Sequence, residues 1–213
     1  VARTSDTTPR ERYRAQLRAQ IKQHAWEQIA AAGASALSLN AIAKQMGMSG
    51  PALYRYYSGR DQLITELVTD AYQSLADALR PVSGDGLAAL GRAWRAWALA
   101  DPQRYLLIYG TPVPGYRAPD DTTAISSEIM ALLLDACAAH YGDSPAAPFH
   151  DHLDDHRDWA GDHPAPSATL HRALTFWTRL HGVLSLELAG HFTGMRFDPA
   201  LLFEAELENL LAH

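Results

Sequence analysis

Between Ser38 and Arg60 the chain reads Ser38-Leu-Asn-Ala-Ile-Ala-Lys-Gln-Met-Gly-Met-Ser-Gly-Pro-Ala-Leu-Tyr-Arg-Tyr-Tyr-Ser-Gly-Arg60, and few arrangements of backbone accept that order. Leu39, Ile42, Ala43 and Met46 fall at i, i+3, i+4 and i+7, one apolar stripe along a helix. Ser38 stands where its hydroxyl can accept from an orphan backbone N–H at the helix start. Ala43 is small enough for a second helix to approach. Gly47 follows the stripe, where a helix end turns left-handed at little steric cost. Ser49 is a second candidate cap, and Pro51 is tolerated in a first helical turn. Leu53 and Tyr57 then face inward, leaving Gly50, Ala52, Tyr54, Arg55 and Tyr56 around the outer face and the helix start. Two short helices across a glycine turn, the second with a polar and aromatic outer face, have the layout of a helix-turn-helix. That device lays one helix in the DNA major groove. Ser58-Gly-Arg-Asp61 reads as a further capping box, opening a helix through Leu63, Ile64, Leu67, Val68 and Ala71.

The net charge of −6 would argue against a polyanionic partner if it were spread evenly. It is not. Residues 1–60 hold nine Lys and Arg against three acids, a net +6, and the remainder holds nine basic against twenty-one acidic residues, a net −12. A basic first part, including Lys44, Arg55 and Arg60, on an acidic remainder suits a protein of which one end meets phosphate. No uninterrupted run of ~18 apolar residues occurs and the start lacks a signal-peptide core, so the sequence predicts no membrane span and a cytoplasmic protein. Cys137 is the only cysteine, which rules out an internal disulfide; within the apolar run Ile129–Ala139 it reads as a small buried hydrophobe.

The remaining segments read as helices as well. Thr8 and Glu11 form a capping-box pair with Pro9 between them, so a first helix runs from Thr8 to about Ala32, with a basic arm before it. Arg80-Pro-Val-Ser-Gly-Asp-Gly86 marks a boundary between a DNA-binding domain, 1–80, and a second helical domain, 81–213. In the second domain the spacing predicts helices over Leu87–Ala100, Gln103–Tyr109, Ala124–His140, Ala147–Trp159, Ser167–His191 and Pro199–Leu211. Gly110–Pro119 is too rich in Gly and Pro for anything but a loop. No segment alternates with period two, so the fold class is all-α.

The quoted residues Ile42-Ala, Gly47, Leu53-Tyr54, Tyr57, Arg60 and Leu63 resemble the TetR family of bacterial transcriptional regulators. Tyr105-Leu-Leu-Ile-Tyr-Gly-Thr-Pro-Val-Pro-Gly-Tyr116 and Trp177-Thr-Arg-Leu-His-Gly182 resemble a narrower subgroup of it. The resemblance implies a regulator, commonly a repressor, that binds palindromic double-stranded operator DNA as a homodimer and responds to a small-molecule effector. It implies phosphate contacts from Ser38, Tyr54 and Arg60, with Gly50, Pro51 and Ala52 at the tip of the recognition helix. Lys44, Ser49, Arg55 and Tyr56 complete the expected DNA-binding set. Arg60 stands where the family usually has lysine, Tyr56 where histidine is frequent and Tyr57 where phenylalanine is usual. The tip offers few hydrogen bonds, which points to readout by apolar contact, Arg55 and DNA shape. The resemblance also implies dimerisation through the last two helices, about 167–191 and 198–211.

Trp94, Trp97, Tyr105, Tyr109, Tyr116, Trp177 and His181 are the expected ligand-binding residues: several large aromatics with polar tips suit a partly hydrophobic effector. For any single aromatic among them core packing is the plainer reading, as a hydrogen-bonded structural role is for His181. In His150-Asp-His-Leu-Asp-Asp-His-Arg-Asp158, with His163 beyond, His152 and His156 have the i, i+4 spacing of helical metal ligands. A solvated acidic face has the same composition, no cysteine or zinc-protease glutamate joins them, and no metal or cofactor is assigned. No phosphate-binding glycine loop or nucleophile motif is present, so the chain is not read as an enzyme. An effector-independent architectural DNA-binding protein and a metal-dependent enzyme built on the His/Asp-rich segment are the other readings; an interior cavity in the second domain would separate the sensor from the architectural protein.

Overall fold

A computed structural model of the chain describes residues 8–110, 112–113, 115–116, 119–142 and 147–212, without the side chains of residues 120 and 121. Its regular structure is helical throughout: α1 (Pro9–Ala32), α2 (Leu39–Gln45), α3 (Gly50–Leu53), α4 (Arg60–Leu79), α5 (Leu87–Ala100), α6 (Pro102–Tyr109), α7 (Asp120–His140), α8 (Pro148–Asp155), α9 (Ser167–Leu188) and α10 (Pro199–Ala212). Single 3-10 turns lie at Ala34–Ala36, Arg80–Asp85 and Asp158–Ala160. The contacts divide the chain into two units, one of residues 1–67 with 112–117 and one of 68–111 with 118–213. The division between the contact units falls inside α4, at Leu67–Val68, while the expected domain boundary at residue 80 coincides with the end of that helix. A Pro/Gly-rich stretch marks where a helix stops, and an uninterrupted helix carries no such mark.

In the first unit α1 begins on the reciprocal Thr8–Glu11 box, the Glu11 amide donating to the Thr8 hydroxyl and the Thr8 amide to the Glu11 carboxylate. It buries Ile21, Ala25 and Ile29 and ends at Gly33. Ser38 caps α2 by accepting from the Ala41 amide. Its own amide is held by Gln28 Oε1 at 2.9 Å, so α1 fixes the entry into α2. Leu39, Ile42 and Ala43 of α2, Leu53 of α3, and Tyr57, Leu63, Ile64 and Leu67 are all buried. Gly47 has φ +64°, and the Met48 amide closes the turn onto Ala43. The cap at the start of α4 differs from expectation. Both the amide and hydroxyl of Ser58 donate to Gln62 Oε1, at 2.6 and 3.1 Å, so the glutamine four residues on replaces Asp61 as the partner.

The second unit has one core, drawn from α5 to α10 and the C-terminal half of α4, with Leu75, Leu90, Leu134, Phe176, Leu180, Phe203 and Leu207 among its buried residues. Gly91 of α5 sits under α9 and α10; a Cβ there would stand 3.0 Å from Leu207 Cδ1 and 3.2 Å from Phe176 Cζ. Arg92 grips Glu204 of α10 with two nitrogens, and Arg95 reaches Glu187 of α9 at 2.6 Å. Three helix ends differ from the sequence pattern. α7 starts at Asp120 behind Pro119, four residues earlier than expected. α9 stops at Leu188, with Gly190 at φ +77° turning the chain away. α8 stops at Asp155, four residues before Trp159, because Arg157 donates to the carbonyls of His163 and Ala165 and draws the chain into a loop. The stretch Thr122–His140 is long and apolar enough by composition to cross a membrane, a property that a search for uninterrupted apolar runs passes over. In this fold its Ile129, Leu133, Leu134 and Cys137 belong to the core of the second unit.

Candidate functional site

The helix-turn-helix face is assembled from α2, the Gly47 turn and the single turn of α3. Gly50, Pro51 and Ala52 form that turn, and a Cβ on Gly50 would meet only Asn40 Oδ1 at 3.6 Å. Ser49 precedes it without a side-chain capping bond. Tyr54 and Arg55 follow it and are exposed, as is Lys44 in the last turn of α2. Neither Lys44 nor Arg55 makes an ion pair among the described residues. Arg10, Arg12 and Arg14 are exposed on α1 as well.

Three residues behave differently from the sequence expectation. Arg18, counted among the basic residues of this end, is committed internally: it pairs with Glu66 of α4, donates to the Tyr56 carbonyl at 3.2 Å, and lies 4.7 Å over the Tyr57 ring. The Tyr57 hydroxyl donates to the same carboxylate at 2.8 Å. This knot ties α1, the end of the α3 turn and α4 together, and nothing in the sequence spacing announces it, since its members are 38 and 48 residues from Arg18. Tyr56 is half-buried beside it. Arg60, expected at phosphate, donates to the carbonyls of Ala34 and Ser35 at 3.0 and 3.3 Å and braces the turn between α1 and α2.

In the second unit a cavity of about 250 Å³ opens between α4, α5, α6, α7 and α9. Trp94, Tyr109 and Trp177 of the expected residues line it, joined by Tyr72 and Trp159. Among the described residues the rest of its wall is α7: Ser126, Ser127, Ile129, Met130 and Leu133. These follow the same apolar periodicity as packed core, so the sequence holds no signal that separates them from it. A second, shallower hollow shares Tyr109 and Trp177 and adds His181, Gly182 and Ser185.

His181 stands amid four aromatic rings, with centroids 5.0 Å from Trp94, 5.4 Å from Tyr105, 4.2 Å from Tyr109 and 5.0 Å from Trp177. Its Nδ1 meets the Tyr105 hydroxyl at 2.6 Å, and that hydroxyl meets Ser185 Oγ at 2.8 Å. Burial pushes the His181 imidazole down to about 4, so it is neutral near pH 7. The Nε2 atom of His181 and the Nε1 atom of Trp94 are buried with no hydrogen-bond partner among the described residues. Trp97, Tyr105, Tyr116 and His181 are not among the residues that line the larger cavity. Trp97 donates its indole N–H to Ser74 Oγ at 2.9 Å, and Tyr116 lies in the 112–117 segment grouped with the first unit.

Within the His/Asp segment His152 and His156 stack, with ring centroids 4.1 Å apart, and no third ligand joins them among the described residues. His156 lies past the end of α8 and its Nδ1 contacts the His152 carbonyl at 2.9 Å, while His163 pairs with Asp135. His150 instead meets His171 of α9, Nε2 to Nδ1 at 3.2 Å. No group of three or more His, Cys, Asp or Glu side chains placed to hold a metal occurs among the described residues.

Comparison with known proteins assigns this architecture. Residues 21–67 match the family model "Bacterial regulatory proteins, tetR family", and residues 87–210 match "Tetracyclin repressor-like, C-terminal domain". The HTH-type transcriptional regulator Rv1816 of Mycobacterium tuberculosis is 35% identical over 93% of this chain and 92% of its own length. The crystal structure of SCO4313, described as a regulatory protein, is 70% identical with a TM-score of 0.89, covering 97% of this chain and all of that one. A Rhodococcus protein of unknown function, 20% identical with a TM-score of 0.66 over 99% of this chain and 98% of its own, shares the fold. The chain belongs to the TetR family of transcriptional regulators, with a helix-turn-helix DNA-binding domain and a helical C-terminal domain; it is not an enzyme.

Proposed function

We propose that this regulator is a repressor that binds a palindromic operator as a homodimer in the cytoplasm and leaves it when a small, partly hydrophobic effector occupies the C-terminal domain. Family membership supplies DNA binding, and the observation that carries the effector half is the aromatic cavity of about 250 Å³. A cavity between helices is the usual form of a small-molecule site, whereas an architectural DNA-binding protein has no use for one. On this reading residues 1–80 act as the DNA-binding domain, with α4 as its connecting helix, and 81–213 as the effector and dimerisation domain.

Lys44, Ser49, Tyr54 and Arg55 meet the phosphates, Gly50, Pro51 and Ala52 meet the base edges and thymine methyls, and Ser38, Tyr56 and Arg60 hold the frame that presents them. Two-fold symmetry follows from the geometry of such docking, since paired recognition helices must lie about 34–36 Å apart to enter successive major grooves. Support for α9 and α10 as the interface comes from their outward apolar residues, Leu186 at 45% exposed and Leu201 at 70%. Effector release needs only modest coupling: about 1.4 kcal/mol of differential affinity changes operator occupancy tenfold.

The test is footprinting of the full chain on the DNA upstream of its own gene, with transcription from that DNA measured in vitro. A protected palindrome with reduced transcription is expected. Protection without symmetry overturns the dimeric operator, and raised transcription overturns repression.

A further inference from the structure

We infer that the first two turns of α1 are a second DNA contact, in which Arg10, Tyr13 and Arg14 meet the phosphate backbone beside the bases that α3 reads. This inference rests on the DNA binding that family membership supplies, and on neither repression nor an effector. It adds three residues that lie outside the helix-turn-helix.

α1 is longer than its packing requires. Its buried residues are Ile21, Ala25 and Ile29, and every residue from Pro9 to Gln16 is exposed. At 1.5 Å per residue that stretch carries the helix about 12 Å beyond its packed part. Turns that bury nothing gain no stability from tertiary contacts. Yet this stretch starts on a reciprocal capping box with Pro9 in its first turn. Its other residues are Arg, Glu, Tyr, Ala and Gln, most of them strong helix formers. The chain keeps helical a segment that has no core to serve, as a surface built for an external partner must be.

One face of that stretch points to the partner. Arg10, Tyr13, Arg14 and Leu17 fall at i, i+3, i+4 and i+7, and steps of four from Leu17 lead to the buried Ile21 and Ala25. The side of α1 that packs in its second half is therefore basic and aromatic in its first. Tyr13, 62% exposed, and Leu17 stand across a hollow of about 450 Å³ from Met46 and Met48. Met48 directly precedes Ser49 at the start of α3, so the stripe runs beside the helix-turn-helix of its own unit. Glu11 is the one acid between Thr8 and Gln23, and the Thr8 amide and hydroxyl hold its carboxylate at 2.8 and 2.9 Å. Two guanidinium groups and a phenol hydroxyl are donors of the kind that phosphate oxygens accept from. Arg12 lies two residues from each arginine and so on the opposite side of the helix, where it provides an internal control.

Binding of the full chain to a mixed-sequence duplex, and to the site it selects from random duplexes, tests this when measured across a range of salt. In the double variant Arg10→Gln, Arg14→Gln the affinity for both duplexes is expected to fall about tenfold, and the slope of log K against log salt to flatten by about two units per bound chain. Arg12→Gln is expected to bind within about twofold of the unaltered chain. Arg10→Lys, Arg14→Lys keeps the charges and is expected to restore the slope, with circular dichroism checking that α1 is intact in each variant. An unchanged slope in the glutamine double variant overturns the inference and leaves the helix-turn-helix its role. A loss in Arg12→Gln as large as half that of the double variant overturns it too, since the effect is then one of net charge. Unchanged DNA binding with altered sedimentation assigns the face to a second copy of the chain, which overturns it as well. Failure of the unaltered chain to bind either duplex removes DNA as the partner, and with it the reading on which this inference rests.

Discussion

At the scale of single residues, Gly50 and His181 give the sharpest tests. The recognition turn is built from residues whose side chains offer little, and Gly50 has space for a methyl group, with only Asn40 Oδ1 at 3.6 Å. Gly50→Ala is therefore expected to leave thermal stability within about 0.5 kcal/mol and to change the preferred operator in a binding-site selection; an unaltered preference would remove Gly50 from base readout. Arg55→Ala should instead weaken binding to all sequences alike and lower the salt dependence by about one unit of slope. Unchanged salt dependence takes Arg55 off the phosphates. His181 offers a pH test with a definite sign. Its folded value is about 4 against 6.5 ordinarily, so the unfolded chain binds a proton that the folded chain refuses. Stability is unaffected above 6.5 and is lost as pH falls from 6.5 toward 4, by up to about 3 kcal/mol. Urea titrations across that window should show His181→Phe escaping this loss; parallel pH profiles for the two proteins overturn the assignment. Much of this scale was legible beforehand: Ser38 as a cap, Gly47 as a turn and the Thr8–Glu11 box follow from local chemistry alone. The internal bonds of Arg18 and Arg60 were not, because a guanidinium has the same signature in sequence whether or not a carboxylate or carbonyl from a distant segment lies beside it.

Helices are the next scale, and there the sequence pattern is strongest in position and weakest at ends that tertiary contacts decide. Leu87–Ala100 coincides with α5 at both termini, since Gly86 and Asp101-Pro102 bracket it. α8 falls short of Trp159 because Arg157 finds carbonyls in a loop eight residues on, a contact no periodicity contains. Two substitutions probe what joins the helices. Glu66 accepts from both Arg18 and Tyr57, and Glu66→Ala should cost about 1.5–3 kcal/mol in denaturant unfolding, the range for hydrogen bonds to a charged group. Gly91 stands where α5 meets α9 and α10, with Leu207, Phe176 and Leu180 within 3.3 Å of a would-be Cβ. Gly91→Val overpacks that crossing and should destabilise by about 1–3 kcal/mol. A neutral effect of Gly91→Val would show that the three side chains yield easily.

For the molecule as a whole, the proposed dimer turns on α9 and α10. Each is tied to α5 by an ion pair, α10 by the exposed Arg92–Glu204 and α9 by the largely buried Arg95–Glu187. Leu186 and Leu201 are left outward without partners in one chain. The double variant Leu186→Glu, Leu201→Glu is expected to sediment as a folded monomer and to bind operator at least tenfold more weakly. A variant that stays dimeric moves the interface elsewhere. The all-helical class, the two-part organisation and the charge asymmetry could all be read from residue order, because each rests on local pattern or on counting. The cavity could not: its α7 wall and the core behind it obey one periodicity, and only packing decides which residues touch and which leave space.

The placement of the indoles has a practical consequence. Of the five tryptophans in the chain, Trp94, Trp159 and Trp177 line one cavity. A majority of the protein's indole fluorophores therefore borders a single space of molecular size. Whatever enters that space alters the polarity and quenching felt by a majority of the fluorophores at once, so the unlabelled protein serves as an optical sensor with which compound collections can be screened before its operator is known.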